Sequence, residues 1–194
     1  MQDLALSYEI QLDFENHEGN EAKIFSDLSS KFDLSIIGHG KNQSWQSRKT
    51  TEFISNKTKT PVLFSKSTYP YKTIGILVNN DFGENTSNSI AFDLASSLSA
   101  SLIAVNISQP KFLQSDDAAQ LTNSLEKMQD LALSYEVQLD FENHEGNEAK
   151  IFSDLSSKFD LSIIGNGTNQ SWQSRKTTEF ISNNSKSSVL YIPS

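Results

Sequence analysis

Cysteine is absent from the 194 residues, so disulfides, thiolate metal sites and cysteine nucleophiles are excluded. No run of about 20 apolar residues occurs, which leaves no hydrophobic helix to span a bilayer and predicts no membrane partner. Met1 leads into an acidic amphipathic stretch rather than a basic start followed by an apolar segment, so the chain reads as cytoplasmic. Positive charge is scarce and scattered: 16 Lys and Arg stand against 24 Asp and Glu, a formal net charge of −8. Nucleic-acid affinity comes from clustered basic side chains that release counterions, so no nucleic-acid partner is expected. Catalytic signatures are missing too. There is no Gly-x-Ser-x-Gly elbow, Walker loop, glycine-rich ATP-pyrophosphatase signature or general base with an evident partner. The chain therefore reads as a binding or signalling module rather than an enzyme, with weak nucleotide hydrolysis left open.

Apolar residues make up 36% and aromatics 10%, enough for a globular core, and the length suits one complete domain plus a piece. Asn and Ser carry much of the polar remainder, so the sequons Asn42-Gln-Ser44 and Asn169-Gln-Ser171 are read as chance. Self-comparison gives one dominant match. Met1 to Phe64 aligns with Met128 to Tyr191 at a constant offset of 127, with only eight of 64 positions different: Ile10/Val137, His39/Asn166, Lys41/Thr168, Lys57/Asn184, Thr58/Ser185, Thr60/Ser187, Pro61/Ser188 and Phe64/Tyr191. Two copies around a dissimilar segment are not a solenoid and read instead as a duplicated half-domain.

Lys72 to Asn79 is a nearly continuous apolar run, as suits a strand buried on both faces of a parallel sheet. Ile90, Ala91, Leu94, Ala95 and Leu98 then share one helical face over about 87–98, and Ser101 to Ile107 is a second buried strand. Ser115-Asp-Asp offers an amino-terminal cap for a helix running to about Tyr135. Val137 to Phe141 alternates as an edge strand does. Asn147 caps a helix carrying Ile151, Phe152, Leu155 and Phe159. Leu161 to Gly165 is a third central strand, a helix over about 177–183 follows, and Val189 to Ile192 closes the unit. Strict alternation of strand and helix predicts right-handed crossovers and a doubly wound, mainly parallel α/β sheet of five strands.

Ile76-Leu-Val-Asn-Asn-Asp-Phe-Gly-Glu-Asn85, Ala91-Phe-Asp-Leu-Ala95, Ser101 to Ile107, Asp160-Leu-Ser-Ile-Ile-Gly165, Thr178-Glu-Phe-Ile181 and Ser188 to Tyr191 occur in one order over about 120 residues. That ordered set resembles the universal stress protein family. The resemblance implies the adenine-nucleotide-hydrolase-like strand order 3-2-1-4-5, a stress-response role, and a crevice beyond the carboxyl ends of the first and fourth strands. It places Asp81 and Gly165 there. It also divides the chain into a complete unit at 68–194 and the carboxyl-terminal half of a second at 1–67.

Family members that hold ATP use Gly-x-x-Gly, nine residues, then Gly-Ser or Gly-Thr, glycines that let backbone N–H groups approach phosphates. This chain reads Gly165-Asn-Gly167, with Arg175-Lys176 where the Gly-Ser pair would stand, and the segment is about three residues short. Two readings follow. In one, Asp81 accepts hydrogen bonds from an adenosine moiety, Gly165 and Gly167 form the turn, and Arg175 and Lys176 supply charge for the phosphates of ATP, AMP or another adenine nucleotide. In the other, no cofactor binds, the glycines only permit a turn, Arg175 and Lys176 are a solvated helix start, and the protein acts through dimerisation or protein interaction. Trp45 and Trp172 read as local lids or interface anchors rather than base-stacking platforms. His17 and His144 have no second histidine at ligand spacing, so no metal is expected.

Residues 1–67 contain the end of a helix and the last three strands and two helices of the family unit, but not its first two strands. They borrow strands from another chain, pack on the complete unit, or belong to a tandem protein cut in its first member. Both copies compete for the single segment 72–127, and an intact helix joins that segment to the second copy. We expect the second copy to win. The last strand of the first copy, Val62 to Phe64, should then pair with the other last strand near Val189–Ile192, as an intramolecular pseudo-dimer or in a homodimer.

Overall fold

The computed structural model describes residues 7–38, 51, 53–54, 57–66, 70–78, 86–108, 115–165 and 172–193, with backbone alone for 86, 115–121 and 172–175. Seven strands form one sheet: β1 (Ser35–Gly38), β2 (Val62–Ser65), β3 (Thr73–Val78), β4 (Ser101–Ser108), β5 (Leu139–Glu145), β6 (Leu161–Gly165) and β7 (Ser188–Ile192). The α-helices whose bounds lie within the described residues are α1 (Glu21–Ser29), α2 (Thr86–Leu98), α3 (Ser115–Ser134), α4 (Glu148–Leu155) and α5 (Trp172–Asn184). Spatial order is β1-β2-β7-β6-β3-β4-β5. The last five of these are the order 3-2-1-4-5 within residues 73–192, all parallel. The sheet is therefore wider than the five strands expected, because β1 and β2 of the first repeat extend it at β7.

Side chains alternate between the two faces. Ile74, Ile76, Val78, Leu102, Ala104, Leu161, Ile163 and Leu190 meet Ala91, Phe92 and Ala95 of α2 and Met128 and Ala132 of α3 in one core. Leu77, Val105, Ile164, Val189 and Tyr191 meet Phe152 of α4 and Ile181 of α5 in the other, joined from the first repeat by Ile54, Val62 and Phe64. One glycine is dictated by packing. A Cβ on Gly75 would lie 2.3 Å from the Phe159 ring, so the central strand must be bare there.

Between β2 and β7 the pairing is antiparallel, with Val62 opposite Tyr191, Leu63 opposite Leu190 and Phe64 opposite Val189. Leu63 and Leu190 are equivalent positions of the two repeats, so this seam is a local pseudo-twofold. Lys66 fastens it: its Nζ donates to the carbonyls of Ser182 (2.6 Å) and Ser185 (2.9 Å) at the end of α5, and its N–H donates to Ser188 Oγ at 3.0 Å.

Three expected elements shift. The edge strand is Leu139–Glu145 rather than 137–141, because pairing with β4 runs from Leu102/Leu139 to Ser108/Glu145 and carries the polar residues Glu142–Glu145 into the ladder. The final helix begins at Trp172, not near 177. The first repeat lacks its edge strand: residues 10–18, near-identical to 137–145, form no helix or strand.

Candidate site at the carboxyl ends of the central strands

β3 and β6 lie side by side and parallel, with Ile74, Gly75 and Ile76 opposite Leu161, Ser162 and Ile163. Val78 and Gly165 therefore end at the same edge of the sheet. From there the chain diverges: β3 continues through α2 to β4 on one side, and β6 continues through α5 to β7 on the other. Strand order reverses at this edge, and in doubly wound sheets that switch point is where ligands sit.

Two helices start at that edge. α2 begins at Thr86 after β3, and α5 begins at Trp172 after β6. The first turn of a helix presents unpaired N–H groups and the positive end of its dipole, which favours anions. Inside α2, Ser87 (3% exposed) and Asn88 (6%) are buried although polar. Their burial was not legible in a chain so rich in Ser and Asn, where neither residue stands out.

Of the residues singled out in the sequence, Gly165 closes β6 and is half-buried. Lys176 is exposed on α5, and Arg175 precedes it on the same helix. Asp81 and Gly167 lie outside the described residues, in the segments that follow β3 and β6. On the neighbouring strands, Asn106 Nδ2 donates to Asn143 Oδ1 at 3.2 Å and links β4 to β5 at the level of Val78.

His144 and Glu142 are two apart on β5 and so share a face, with Nε2 to Oε2 at 2.9 Å. Lys158 Nζ reaches the same carboxylate at 3.0 Å. The His144 hydrogen bond, with Lys158 behind it, holds the Glu142 carboxyl below the usual carboxylate range against a weaker opposing desolvation. Glu148 is pushed up by burial at the start of α4. Among the described residues no group of three or more His, Asp or Glu could hold a metal, and no helix is long and apolar enough to cross a membrane.

A cavity of about 480 Å³ lies elsewhere, in the first repeat, lined by Lys23, Asp27, Phe53, Lys57 and Lys59 among others. Those five side chains are exposed, so the cavity offers little desolvation to strengthen binding.

No family model matches the sequence, and no curated protein matches it. Solved structures do match in fold. A universal stress protein from Archaeoglobus fulgidus DSM 4304 superposes with a TM-score of 0.73 at 12% identity, over 99% of this chain and 74% of that one. A universal stress protein from Lactobacillus plantarum gives 0.55 at 18% identity, over 64% of this chain and 99% of its own. A universal stress protein in complex with cAMP gives 0.52 at 18%, over 64% and 98%. The fold is thus the Rossmann-like α/β fold seen in these universal stress proteins.

Proposed function

We propose that this chain is a universal stress protein-like, non-enzymatic stress-response module that binds an adenine nucleotide at the carboxyl ends of β3 and β6. The observation that carries the reading is the switch point itself, two adjacent parallel strands whose following helices both open toward the same edge. The fold match to a universal stress protein solved with cAMP supports the ligand class. In this reading Asp81 accepts from the adenosine moiety, Gly165 and Gly167 let backbone N–H groups approach the phosphate, and Arg175 and Lys176 balance its charge.

The departure from Gly-x-x-Gly, with Arg175-Lys176 in place of Gly-Ser, favours a monophosphate over a triphosphate, since without those glycines fewer backbone N–H groups can come close to a long phosphate chain. Calorimetric titration with cAMP, AMP and ATP tests this. AMP or cAMP should bind more tightly than ATP, and Asp81→Ala or Lys176→Ala should weaken binding about tenfold. Absence of heat and of any thermal shift at millimolar nucleotide would instead favour the ligand-free module that acts through dimerisation.

A further inference from the structure

β1 is an edge strand, and its sequence twin β6 is a central one. Residues 32–38 and 159–165 are identical, and both strands pair on one side in the same register: Ser35 with Val62 in β1, Ser162 with Val189 in β6. On the other side β6 receives β3, whereas β1 receives no strand among the described residues. The cost is visible in exposure. Leu34 is 46% exposed and Ile36 61%, while Leu161 and Ile163 are 2% and 0%.

The residues around β1 are also those that grip β3 in the second repeat. Asp160 takes backbone N–H groups of Lys72 and Thr73 on one carboxylate oxygen, both at 2.9 Å, and returns its own N–H to the Thr73 carbonyl at 2.8 Å. Its twin is Asp33, exposed. Phe159 lies on Gly75 and is 5% exposed; its twin Phe32 is 56% exposed. The face over Leu161 and Ile163 is covered by α2 and α3, and the same face over Ile36 carries neither.

We propose that the free edge of β1 and the apolar face beside it form a docking site for a second strand–helix–strand unit of the kind residues 71–108 make. The incoming strand lies parallel to β1. It carries a glycine opposite Ser35, where Phe32 closes over it, gives two backbone N–H groups to Asp33, and is followed by a helix that covers Leu34 and Ile36. Once its second strand is in place, residues 12–18 pair with it as β5 pairs with β4.

The test extends the full 1–194 chain at its amino terminus with a second copy of residues 68–127 and follows backbone hydrogen exchange. Exchange at residues 12–17 and 35–37 should slow about a hundredfold or more relative to the 1–194 chain. Gly75→Val made in the added copy alone should abolish that protection and leave residues 101–108 and 161–165 unchanged. Unchanged exchange in the extended chain overturns the proposal, as does protection that survives the valine. Protection of 35–37 in the 1–194 chain that rises with protein concentration would also overturn it, since a second copy would then be the occupant.

Discussion

Residues 11–18 and 138–145 are the same eight amino acids, Gln-Leu-Asp-Phe-Glu-Asn-His-Glu, and only the second set contains a strand. In the second repeat β4 lies alongside and supplies the ladder from Leu102/Leu139 to Ser108/Glu145. In the first repeat no such neighbour lies among the described residues, and Leu12 (41%) and Phe14 (57%) are exposed. β propensity is weak and largely records packing against cross-strand neighbours, so identical sequence takes different structure when the neighbour is withdrawn. What survives in both copies is what needs no long-range partner. Asn20 accepts from Lys23 N–H at 3.0 Å as Asn147 does from Lys150 N–H at 2.9 Å. Gly19 and Gly146 hold φ of +138° and +139°, and His17 contacts Glu15 as His144 contacts Glu142.

The sharpest way to break the comparison is to place one charge at equivalent positions. Ile163→Asp puts a carboxylate in the centre of the sheet with no partner and should cost about 4 kcal/mol or more, enough to unfold much of the chain. Ile36→Asp should change stability by less than about 0.5 kcal/mol, because that side chain already faces water. Urea denaturation followed by circular dichroism measures both. Comparable losses at the two sites would show that β1 is as buried as β6.

Gly75→Val is next. Any side chain there meets the Phe159 ring, and overpacking should cost about 1–3 kcal/mol. A second substitution, Phe159→Ala, should be less damaging in the Gly75→Val background than alone, because the alanine vacates the space that the valine needs. Phe32→Ala, its twin in the first repeat, should be near neutral. Additive losses at Gly75 and Phe159 in the double-mutant cycle would remove the steric account.

A smaller effect is expected at the caps. Asn147→Ala leaves a donor of the first turn of α4 unpaired and should cost about 1 kcal/mol. Asn20→Ala removes the same bond from α1, whose repeat is less enclosed, so its loss should appear as faster exchange within α1 more than as a shift of the global transition. Equal shifts of the global midpoint would mean that both repeats unfold as one cooperative unit.

Local chemistry and continuous apolar runs were legible in the sequence. Ile74–Val78, Leu102–Ile107 and Leu161–Ile164 are largely apolar runs that pack on both faces of the sheet, and those runs, together with strand–helix alternation, specify a doubly wound sheet. The extension of β5 to Glu145 was not legible, since Glu142, Asn143 and His144 look like a turn until β4 supplies a ladder for them. Nor was the loss of the strand at 10–18, because the cause lies in a neighbour absent from that copy. At the site, Gly165 reads correctly as the end of a central strand. Asp81 and Gly167 fall outside the described residues.

The finest distinction between the repeats is at their ends, where Lys66 and Pro193 occupy equivalent positions. Lys66 donates to two carbonyls that close α5, a placement that suits a cation at the negative end of a helix dipole. Proline has no such donor, so the seam is fastened from one side. Burial lowers the Lys66 ammonium from 10.5 to about 8. Between those values the unfolded chain binds more protons at this group than the folded one does, so its contribution to stability rises with pH there. Below about pH 8 both states are protonated and the desolvation cost is borne in full. Solvent still reaches part of the side chain, which keeps the effect well below what the full shift would give. The stability of the wild type minus that of Lys66→Met should therefore move in favour of the wild type from pH 7.5 to pH 10. Measuring the difference cancels the exposed lysines and tyrosines that titrate in the same range. A difference that stays flat across that window would mean that folding does not desolvate the amine, or that the two carbonyls and the end of α5 fully offset its desolvation.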